Sequence, residues 1–333
     1  MSQPLIRLER VTVSFEESRG LTKKLKVEAL REASLDVWEG KGLVVVGESG
    51  AGKTTLGRVI VGVQRPSSGR VLFKGKDLWR ERGAFKEFRR LVQLVPQDPY
   101  GSLSPNKTIL DQLSPPLKKW KGLKGREIRE EASRLLSLVR LTPPESFLSK
   151  YPHQLSGGQR QRVNIARALS VDPKVLVADE PVTMIDASMR IGILTTLAEI
   201  SRKLGIAVIM ITHDLAIARY FADLMGSVEG VVMYRGKIIE VSPVEELVST
   251  PLHPYTSTLI KAVPDIAALG SEQEVGLEEI DVPQGPQIDR ICPYVSVCKF
   301  AMSVCKRGDP ELKQVSSAHR VACYLYGGKA EAD

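Results

Sequence analysis

The stretch that decides the fold is Leu155-Ser156-Gly157-Gly158-Gln159, because of the two motifs between which it lies. A glycine-rich loop at residues 47–54, with the sequence GESGAGKT, comes before it in the chain. An apolar run that ends in Asp179-Glu180 comes after it. The loop and the acidic pair occur together in many nucleotide-binding proteins. The LSGGQ stretch between them restricts the class of nucleotide-binding protein further, and each of the three motifs has its own chemical role.

The loop at residues 47–54 fits the pattern G-x-x-x-x-G-K-[ST] and follows an apolar run at 43–46. Its glycines let backbone N–H groups turn inward around a polyanion, and the helix that follows adds the positive end of its dipole. Lys53 can reach the β- and γ-phosphates, and the hydroxyl of Thr54 can bind Mg²⁺. The residues predicted here to bind ATP are Gly47, Ser49, Gly50, Ala51, Gly52, Lys53, Thr54 and Thr55.

The acidic pair suits metal binding and water activation. Asp179 ends the apolar run 175–178 and can hold Mg²⁺ through water, while Glu180 follows it directly. A carboxylate beside the metal can orient or deprotonate the attacking water, an effect worth about 10²–10⁴-fold. An Asp-Glu pair after a strand is by itself a weak signal, but its place after the phosphate loop and the LSGGQ stretch strengthens it.

Two kinds of apolar pattern predict two sheets. Alternating residues at 11–15, 33–37 and 71–73 indicate half-buried strands of an antiparallel layer near the N-terminus, with a charged loop or hairpin extension at 16–31. Continuous apolar runs are typical of strands buried on both faces of a parallel sheet. Such runs occur at 43–46, 175–178 and 206–211. The chain is therefore predicted to be an α/β protein with ligands at the carboxyl ends of its parallel strands.

The remaining segments divide the chain into two parts. The sheet pattern is interrupted from about residue 84, and residues of about 98–170 are predicted to form a helical subdomain. We expect a nucleotide-binding domain over 1–250 and a C-terminal extension over 251–333. The acidic, proline-containing residues 264–290 are interpreted as a linker within that extension.

Composition restricts the cellular setting. The 333 residues carry a net charge of +8, which allows a basic surface that faces solvent, a nucleic acid or an anionic membrane. The basic residues are spread along the chain with no nucleic-acid-reading motif, so no nucleic-acid partner is expected. No run of 18 apolar residues and no secretory signal occur in the sequence, which predicts a cytosolic protein.

With these motifs in this order, the chain resembles the ABC ATPases, and the resemblance covers nearly its whole length. It implies a machine in which two nucleotide domains close on ATP. The residues matching the family signature, which binds the ATP of the opposite subunit, are Ser156, Gly157, Gly158 and Gln159. Phe15 matches the aromatic residue that stacks on adenine, and Gln97 matches the glutamine that senses Mg²⁺ and contacts the membrane subunit. His213 matches the histidine that contacts the γ-phosphate.

The resemblance thus implies Glu180 and His213 as catalytic residues, and Thr54, Gln97 and Asp179 as the residues that hold Mg²⁺. One departure is visible. Close relatives usually carry Ser-Ala-Leu-Asp where this chain has Thr183-Met184-Ile185-Asp186. The aspartate is kept, but the bulkier residues would lie at the interface of the two ATPases. Pairing or coupling could therefore differ.

Further stretches narrow the resemblance to the di/oligopeptide importers, and within them to the F-type ATPase, which pairs with a paralogous D-type subunit. They are residues 54–58, 97–105, 253–256 and 320–323. This branch implies two transmembrane permease subunits and an extracellular solute-binding protein as direct and indirect partners. It also implies a peripheral position on the cytoplasmic face of the membrane. Relatives of the branch import nickel or oligosaccharides, so these solutes are alternatives to peptides.

The four cysteines, Cys292, Cys298, Cys305 and Cys323, all lie in the C-terminal extension. Their spacing matches neither a zinc ribbon nor a bacterial ferredoxin, and four thiolates could hold Zn²⁺ or a 4Fe–4S cluster. The family resemblance favours the cluster, with zinc and free or oxidised thiols as alternatives.

Two other functions are compatible with parts of the sequence. A cytosolic ABC protein acting on nucleic acid or ribosomes would use the basic charge, although such proteins usually hold two cassettes or long coiled coils. A redox or metal regulator that uses ATP as a switch would use the cysteines.

Overall fold

The structure is a computed structural model that describes residues 3–19, 23–81, 83–261 and 291–326. The predicted linker at 264–290 lies outside these residues.

The predicted antiparallel layer is present as a four-stranded sheet in the order β2-β1-β4-β5. Its strands are β1 (Ile6–Arg19), β2 (Lys23–Val37), β4 (Ser68–Phe73) and β5 (Lys76–Asp77). The segment predicted as a loop or hairpin extension is paired in its described part, because β1 and β2 stay paired as far as Arg19 and Lys23.

The second sheet has eight strands in the order β11-β12-β10-β9-β3-β8-β7-β6. Its parallel part contains β3 (Gly42–Val46), β6 (Val92–Val95), β7 (Val175–Asp179), β8 (Ala207–Thr212) and β9 (Val228–Tyr234). The three apolar runs of the sequence thus form the neighbouring strands β3, β8 and β7. The sequence reading missed β6 and β9, which complete the parallel sheet.

Both faces of this sheet are covered, which explains its continuous apolar strands. In β3, Val44 and Val46 belong to the core shared with the helical subdomain, whereas Leu43 and Val45 belong to the core shared with the antiparallel layer. Successive side chains of a strand point to opposite faces, so a strand between two cores has no position left for polar residues.

The helices fall into two groups around the sheet. Those that flank the strands are α1 (Lys53–Ile60), α2 (Ala84–Leu91), α7 (Ala187–Leu204), α8 (Leu215–Met225), α9 (Val244–Ser249) and α10 (Pro254–Lys261). The helical subdomain holds α3 (Ile109–Pro116), α4 (Gly125–Leu138), α5 (Glu145–Leu148) and α6 (Gly157–Leu169), with a π-helical turn at Leu117–Lys121.

The sequence pattern suggested that the sheet is interrupted from residue 84, but the structure shows no interruption there. Helix α2 packs on the antiparallel layer, where Phe88 meets Phe73 edge to face at 5.2 Å between ring centroids. Strand β6 then joins the parallel sheet beside β7. Its four residues include Gln93, so the short run lacked the continuous apolar character of its neighbours.

The C-terminal segment joins the same sheet. Strand β10 (Lys237–Pro243) pairs antiparallel with β9 and with β12 (Arg320–Val321), and β12 pairs with β11 (Lys313–Gln314). The division of the chain at residue 250 stays a prediction.

Candidate ATP site

Strand order brings the motifs together. Parallel neighbours pair Val95 with Ala178, Asp179 with Ile211, and Thr212 with Val46. The residues that follow these strands therefore emerge side by side at one edge of the sheet, which is the usual ligand-binding edge of an α/β fold. Gln97, Glu180, His213 and the loop that begins at Gly47 all lie along this edge.

The phosphate loop approaches neighbouring backbone closely at two glycines. A Cβ atom on Gly47 would lie 2.3 Å from the Met233 carbonyl oxygen, and one on Gly52 would lie 2.4 Å from that of Ala29. Gly52 also has a φ of +97°, which disfavours any other residue. The loop thus fits between β9 and β2 only with glycine at these positions.

Lys53 lies at the start of α1 and is buried beneath the loop. Its Nζ donates to the carbonyl oxygens of Gly47 and Glu48, both at 2.7 Å. Burial lowers the pKa of Lys53, and the nearby charges of Glu180 and Asp179 act in the opposite direction. Phosphate oxygens entering the loop would compete with the two carbonyls for the ammonium protons.

Thr54 and Asp179 supply oxygen atoms suited to Mg²⁺. The Thr54 hydroxyl donates to Asp179 Oδ1 at 3.4 Å. Hydroxyl and carboxylate oxygens are ligands that Mg²⁺ prefers, so Thr54 could bind the ion directly and Asp179 could hold it through water. Burial raises the pKa of Asp179, and the hydrogen bond from Thr54 opposes this rise. A cation at this position would favour the ionised carboxylate.

Glu180 lies at the centre of a hydrogen-bonded group. Its Oε2 accepts from Gln97 Nε2 and from the Thr183 hydroxyl, both at 3.0 Å, and its Oε1 lies 3.1 Å from His213 Nδ1. Its backbone has a φ of +43°, a costly conformation for a non-glycine residue. The N–H of Glu180 donates to the Ile211 carbonyl, which holds this turn against β8.

The LSGGQ stretch forms the N-terminus of α6. Ser156 caps the helix by accepting from the Gln159 N–H at 3.3 Å, and Gln159 Oε1 accepts from the Ser156 N–H at 3.0 Å. Little space remains at Gly158, because a Cβ atom there would lie 2.7 Å from the end of Met189 in α7. A capped helix start with glycine N–H groups is a suitable anion site.

Phe15 lies on the hairpin of the antiparallel layer, where it pairs with Val27 on β2. Two residues farther along β2 is Ala29, whose carbonyl lies against Gly52 of the phosphate loop. The Phe15 ring is 43% exposed, so an aromatic face is accessible on the same strand pair that borders the loop.

The loop at residues 183–186, whose sequence differs from that of close relatives, contributes one group that the sequence analysis missed. The Thr183 hydroxyl donates to Glu180, whereas Ile185 is buried and Met184 is half exposed.

Gln161 is a second residue that the sequence analysis missed. This fully buried side chain donates to the carbonyl oxygens of Pro96 and Pro181, the neighbours of Gln97 and Glu180. A glutamine on the apolar face of α6 was its only sequence signal.

The comparisons with known proteins agree with this geometry. A family model described as ABC transporter matches residues 30–183, and one described as oligopeptide/dipeptide transporter, C-terminal region, matches 239–305. The oligopeptide transport ATP-binding protein AppF of Bacillus subtilis is 36% identical over 97% of this chain and 98% of its own length. The chain belongs to the ABC transporter ATPase family.

Other relatives and solved structures support the membership. The dipeptide transport ATP-binding protein DppF of Haemophilus influenzae is 36% identical over 96% of this ATPase and 96% of its own length. The dipeptide transport ATP-binding protein DppD of Bacillus subtilis is 36% identical over 99% of this ATPase and 97% of its own length. A dimeric cassette solved with ADP and Pi superposes with a TM-score of 0.61 at 28% identity, covering 72% of this chain and 98% of the cassette. The cbiO1 structure from Clostridium perfringens has a TM-score of 0.61 at 27% identity, covering 75% and 92%.

The cysteines of this ABC ATPase converge. All four thiols are free, and all four line one narrow cavity together with His253 and Tyr294. Burial raises the pKa of Cys292 to about 11 and also raises that of Cys323. Within the described ranges, however, no three His, Cys, Asp or Glu side chains are grouped closely enough to hold a metal ion. The four thiols therefore share one cavity, but the described residues do not form a metal-binding group there.

The described helices differ from membrane-spanning helices in length or in hydropathy. None of them is both long and apolar enough to cross a membrane.

Proposed function

We propose that this ABC ATPase is the ATP-binding subunit of an importer that hydrolyses ATP to drive uptake of oligopeptides or dipeptides. The observation that carries the ATPase part is the hydrogen-bonded group around Glu180 beside the phosphate loop. The observation that supports a peptide solute is the match of residues 239–305 to the C-terminal region of oligopeptide/dipeptide transporters.

The proposed mechanism assigns one role to each motif. Residues 47–55 bind the phosphates, Thr54, Asp179 and Gln97 hold Mg²⁺, and Phe15 stacks on adenine. Glu180 orients the attacking water and accepts its proton, while His213 stabilises the γ-phosphate. The helix start at Ser156 binds the ATP of the partner ATPase, so bound ATP joins the two surfaces. Hydrolysis removes that bridge and lets the domains part.

The proposed assembly is a heterodimer with a paralogous ATPase, on two permease subunits at the cytoplasmic face of the membrane. This chain is assigned to the F-type. The relatives named above include both F-type and D-type names at the same identity, so the assignment rests on the motifs rather than on overall similarity.

A basic groove supports a permease contact. A cavity of about 520 Å³ lies between α2 and β6 on one side and the helical subdomain on the other. Four cations line it: Lys86, Arg89, Lys119 and Arg167. Within the described residues none of the four forms a salt bridge, and burial alone lowers the pKa of Arg167. Lys86, Arg89 and Lys119 are exposed and Arg167 is half-buried, so the groove presents a positive surface that suits an acidic segment of a permease subunit.

The groove can be tested by charge reversal at its exposed wall. Lys119→Glu should weaken co-purification with the permease subunits while ATP binding by the isolated chain is unchanged. Lys118→Glu, in the same turn but outside the cavity lining, is the matched control. Equal assembly of both variants would remove this support.

The proposed solute is tested by transport. The chain, its partner ATPase, the permeases and the binding protein are reconstituted in liposomes, and uptake of labelled dipeptide, oligopeptide, oligosaccharide and Ni²⁺ is compared. ATP-dependent accumulation of peptide alone is expected. Accumulation of sugar or nickel in its place would overturn the peptide assignment and leave the ATPase assignment intact.

The proposed cofactor of the cysteine cavity is a 4Fe–4S cluster, held by Cys292, Cys298, Cys305 and Cys323. Support comes from the convergence of four thiols on one cavity, and thiolates are the ligands such clusters require. Iron and acid-labile sulfide near four each per chain after oxygen-free purification are expected. If zinc is found in place of iron and sulfide, the cysteines hold a structural metal and the cluster proposal is overturned. If neither metal is found, the four cysteines are free thiols.

A further inference from the structure

Tyr255 is a buried aromatic residue of the C-terminal part that reaches the phosphate loop. It lies in α10 with 1% of its surface exposed. Its ring packs against Tyr234 of β9 at 4.6 Å and against Tyr294 at 5.6 Å between centroids. These contacts fix the ring on both sides, so the position of the hydroxyl follows from the packing.

The hydroxyl of Tyr255 accepts a hydrogen bond from the backbone N–H of Glu48 at 3.0 Å. That N–H belongs to the same peptide unit as the Gly47 carbonyl, which accepts from Lys53 Nζ at 2.7 Å. One peptide plane at the start of the loop is therefore held at both ends, by a tyrosine on one side and by the phosphate-binding lysine on the other.

The orientation of this peptide matters because Gly47 leaves the backbone free to rotate. Gly47 has a φ of +154° and no side chain to restrict the turn. When a phosphate takes protons of Lys53 away from the carbonyl, the bond to Tyr255 remains as the contact that resists rotation of the plane. The loop then keeps its shape while its lysine changes partner.

The protonation state of Tyr255 suits it to accept the Glu48 N–H. Burial raises the pKa of Tyr255 above the ordinary range of tyrosine, and the neighbouring charge of Glu48 acts in the same direction. The hydroxyl is thus neutral at physiological pH and accepts the N–H without adding a negative charge beside the phosphates.

We infer that Tyr255 is a positioning residue of the ATP site, which holds the Gly47–Glu48 peptide in the orientation that binds phosphate. The segment after β10 is then a working part of the nucleotide site, although its residue lies 207 positions beyond Glu48. The inference depends on the ATPase role of the chain and not on which solute is imported.

Tyr255→Phe tests the inference, because it removes one oxygen and keeps the ring. The matched control is Tyr294→Phe, whose hydroxyl contacts Thr258 at 3.2 Å rather than the loop. Loss of a buried hydrogen bond should raise the Kd and the KM for MgATP about 5- to 30-fold in Tyr255→Phe, with kcat changed less than about twofold. The control should bind ATP like the wild type.

Amide hydrogen exchange at Glu48 gives a second readout that needs no turnover. Without nucleotide, exchange of this amide should accelerate about tenfold or more in Tyr255→Phe and stay unchanged in Tyr294→Phe. Unchanged affinity and unchanged exchange in Tyr255→Phe would overturn the inference, as would equal weakening by both variants. A wild-type complex that hydrolyses ATP without importing peptide would instead overturn the proposed solute alone.

Discussion

The amide of Gln97 donates to the carboxylate of Glu180 across 3.0 Å, although the two residues are 83 positions apart in sequence. Each follows a strand of the parallel sheet, and β6 and β7 are neighbours in that sheet. The residue proposed to contact the permease is therefore bonded to the residue proposed to activate water. Movement of Gln97 would change a hydrogen bond of Glu180, so under the proposed roles this contact would couple transport to hydrolysis.

Replacing Glu180 tests its catalytic role. Glu180→Gln keeps the shape and can still bond to its neighbours, but an amide cannot accept the proton of the attacking water. ATP turnover should fall about 10²–10⁴-fold while ATP stays bound and the closed dimer accumulates. Turnover of the assembled complex and retention of labelled ATP measure this. Glu199→Gln, in a surface pair with Arg140, is the control and should hydrolyse ATP normally.

Gly52→Ala should destabilise the protein more than Gly83→Ala, a control at a glycine with the same backbone φ. Gly52 and Gly83 both precede eight-residue helices and share a φ of +97°. A Cβ atom on Gly52 meets the Ala29 carbonyl at 2.4 Å, whereas one on Gly83 meets nothing within 4 Å. Both variants carry backbone strain of about 1–2 kcal/mol, and only Gly52→Ala adds the collision.

Urea unfolding and ATP binding distinguish the two glycine variants. The extra loss of stability in Gly52→Ala should be at least about 1 kcal/mol, with strongly weakened ATP binding. Similar losses in both variants would mean that β2 moves aside and that the close approach is not a constraint.

Glu131 should stabilise the helical subdomain in a pH-dependent way. Its carboxylate accepts from Arg134 at 2.7 Å and from Lys121 at 2.8 Å. The hydrogen bond from Arg134 lowers the pKa of Glu131 to about 2, although burial acts in the opposite direction. The hydrogen bond and the charge of Lys121 contribute to this lowering of the pKa. Because the pKa is lower in the folded chain, this stabilisation is present above about pH 4.5 and is lost as the pH falls toward 2.

Glu131→Gln should therefore cost about 1–2 kcal/mol at pH 7, after allowance for solvent screening. Its difference from the wild type should shrink with falling pH in urea unfolding curves. Glu130→Gln, which breaks an exposed pair with Arg126, should cost less than about 0.5 kcal/mol. A difference for Glu131→Gln that does not depend on pH would contradict the assignment to its charge.

Glu240 should attach the C-terminal segment to the sheet. This fully buried carboxylate accepts from the Leu252 N–H at 2.7 Å and the His253 N–H at 3.0 Å, and it lies 2.7 Å from His319 Nε2. Glu240→Gln places an amide donor against one of these donors and should cost about 2–4 kcal/mol.

Hydrogen exchange across 313–326 should increase in Glu240→Gln, since β12 pairs with the strand that carries Glu240. Glu229→Gln is the control, because Glu229 bonds to Arg320 of the same segment at a more exposed position. If the two variants loosen the segment equally, the buried carboxylate has no special role.

The sequence alone identified the phosphate loop, the acidic pair and the LSGGQ helix start, because each depends on residues close together in the chain. Local spacing determines a turn, a cap or a helix dipole, and these motifs need little else. The apolar runs likewise revealed β3, β7 and β8. Strand β6 escaped notice because its four residues include Gln93, and only pairing with β7 makes it a strand.

The tertiary structure alone decided which groups touch. The order of strands β6, β7, β8 and β3 brings Gln97, Glu180, His213 and the phosphate loop to one edge, and no local pattern specifies that order. Burial of Gln161 against two loop carbonyls, and of Tyr255 against Glu48, also depends on segments far apart in sequence. Hydrogen bonds between distant residues form only where packing of the whole core places donor and acceptor together, so they follow from the fold and not from the motif.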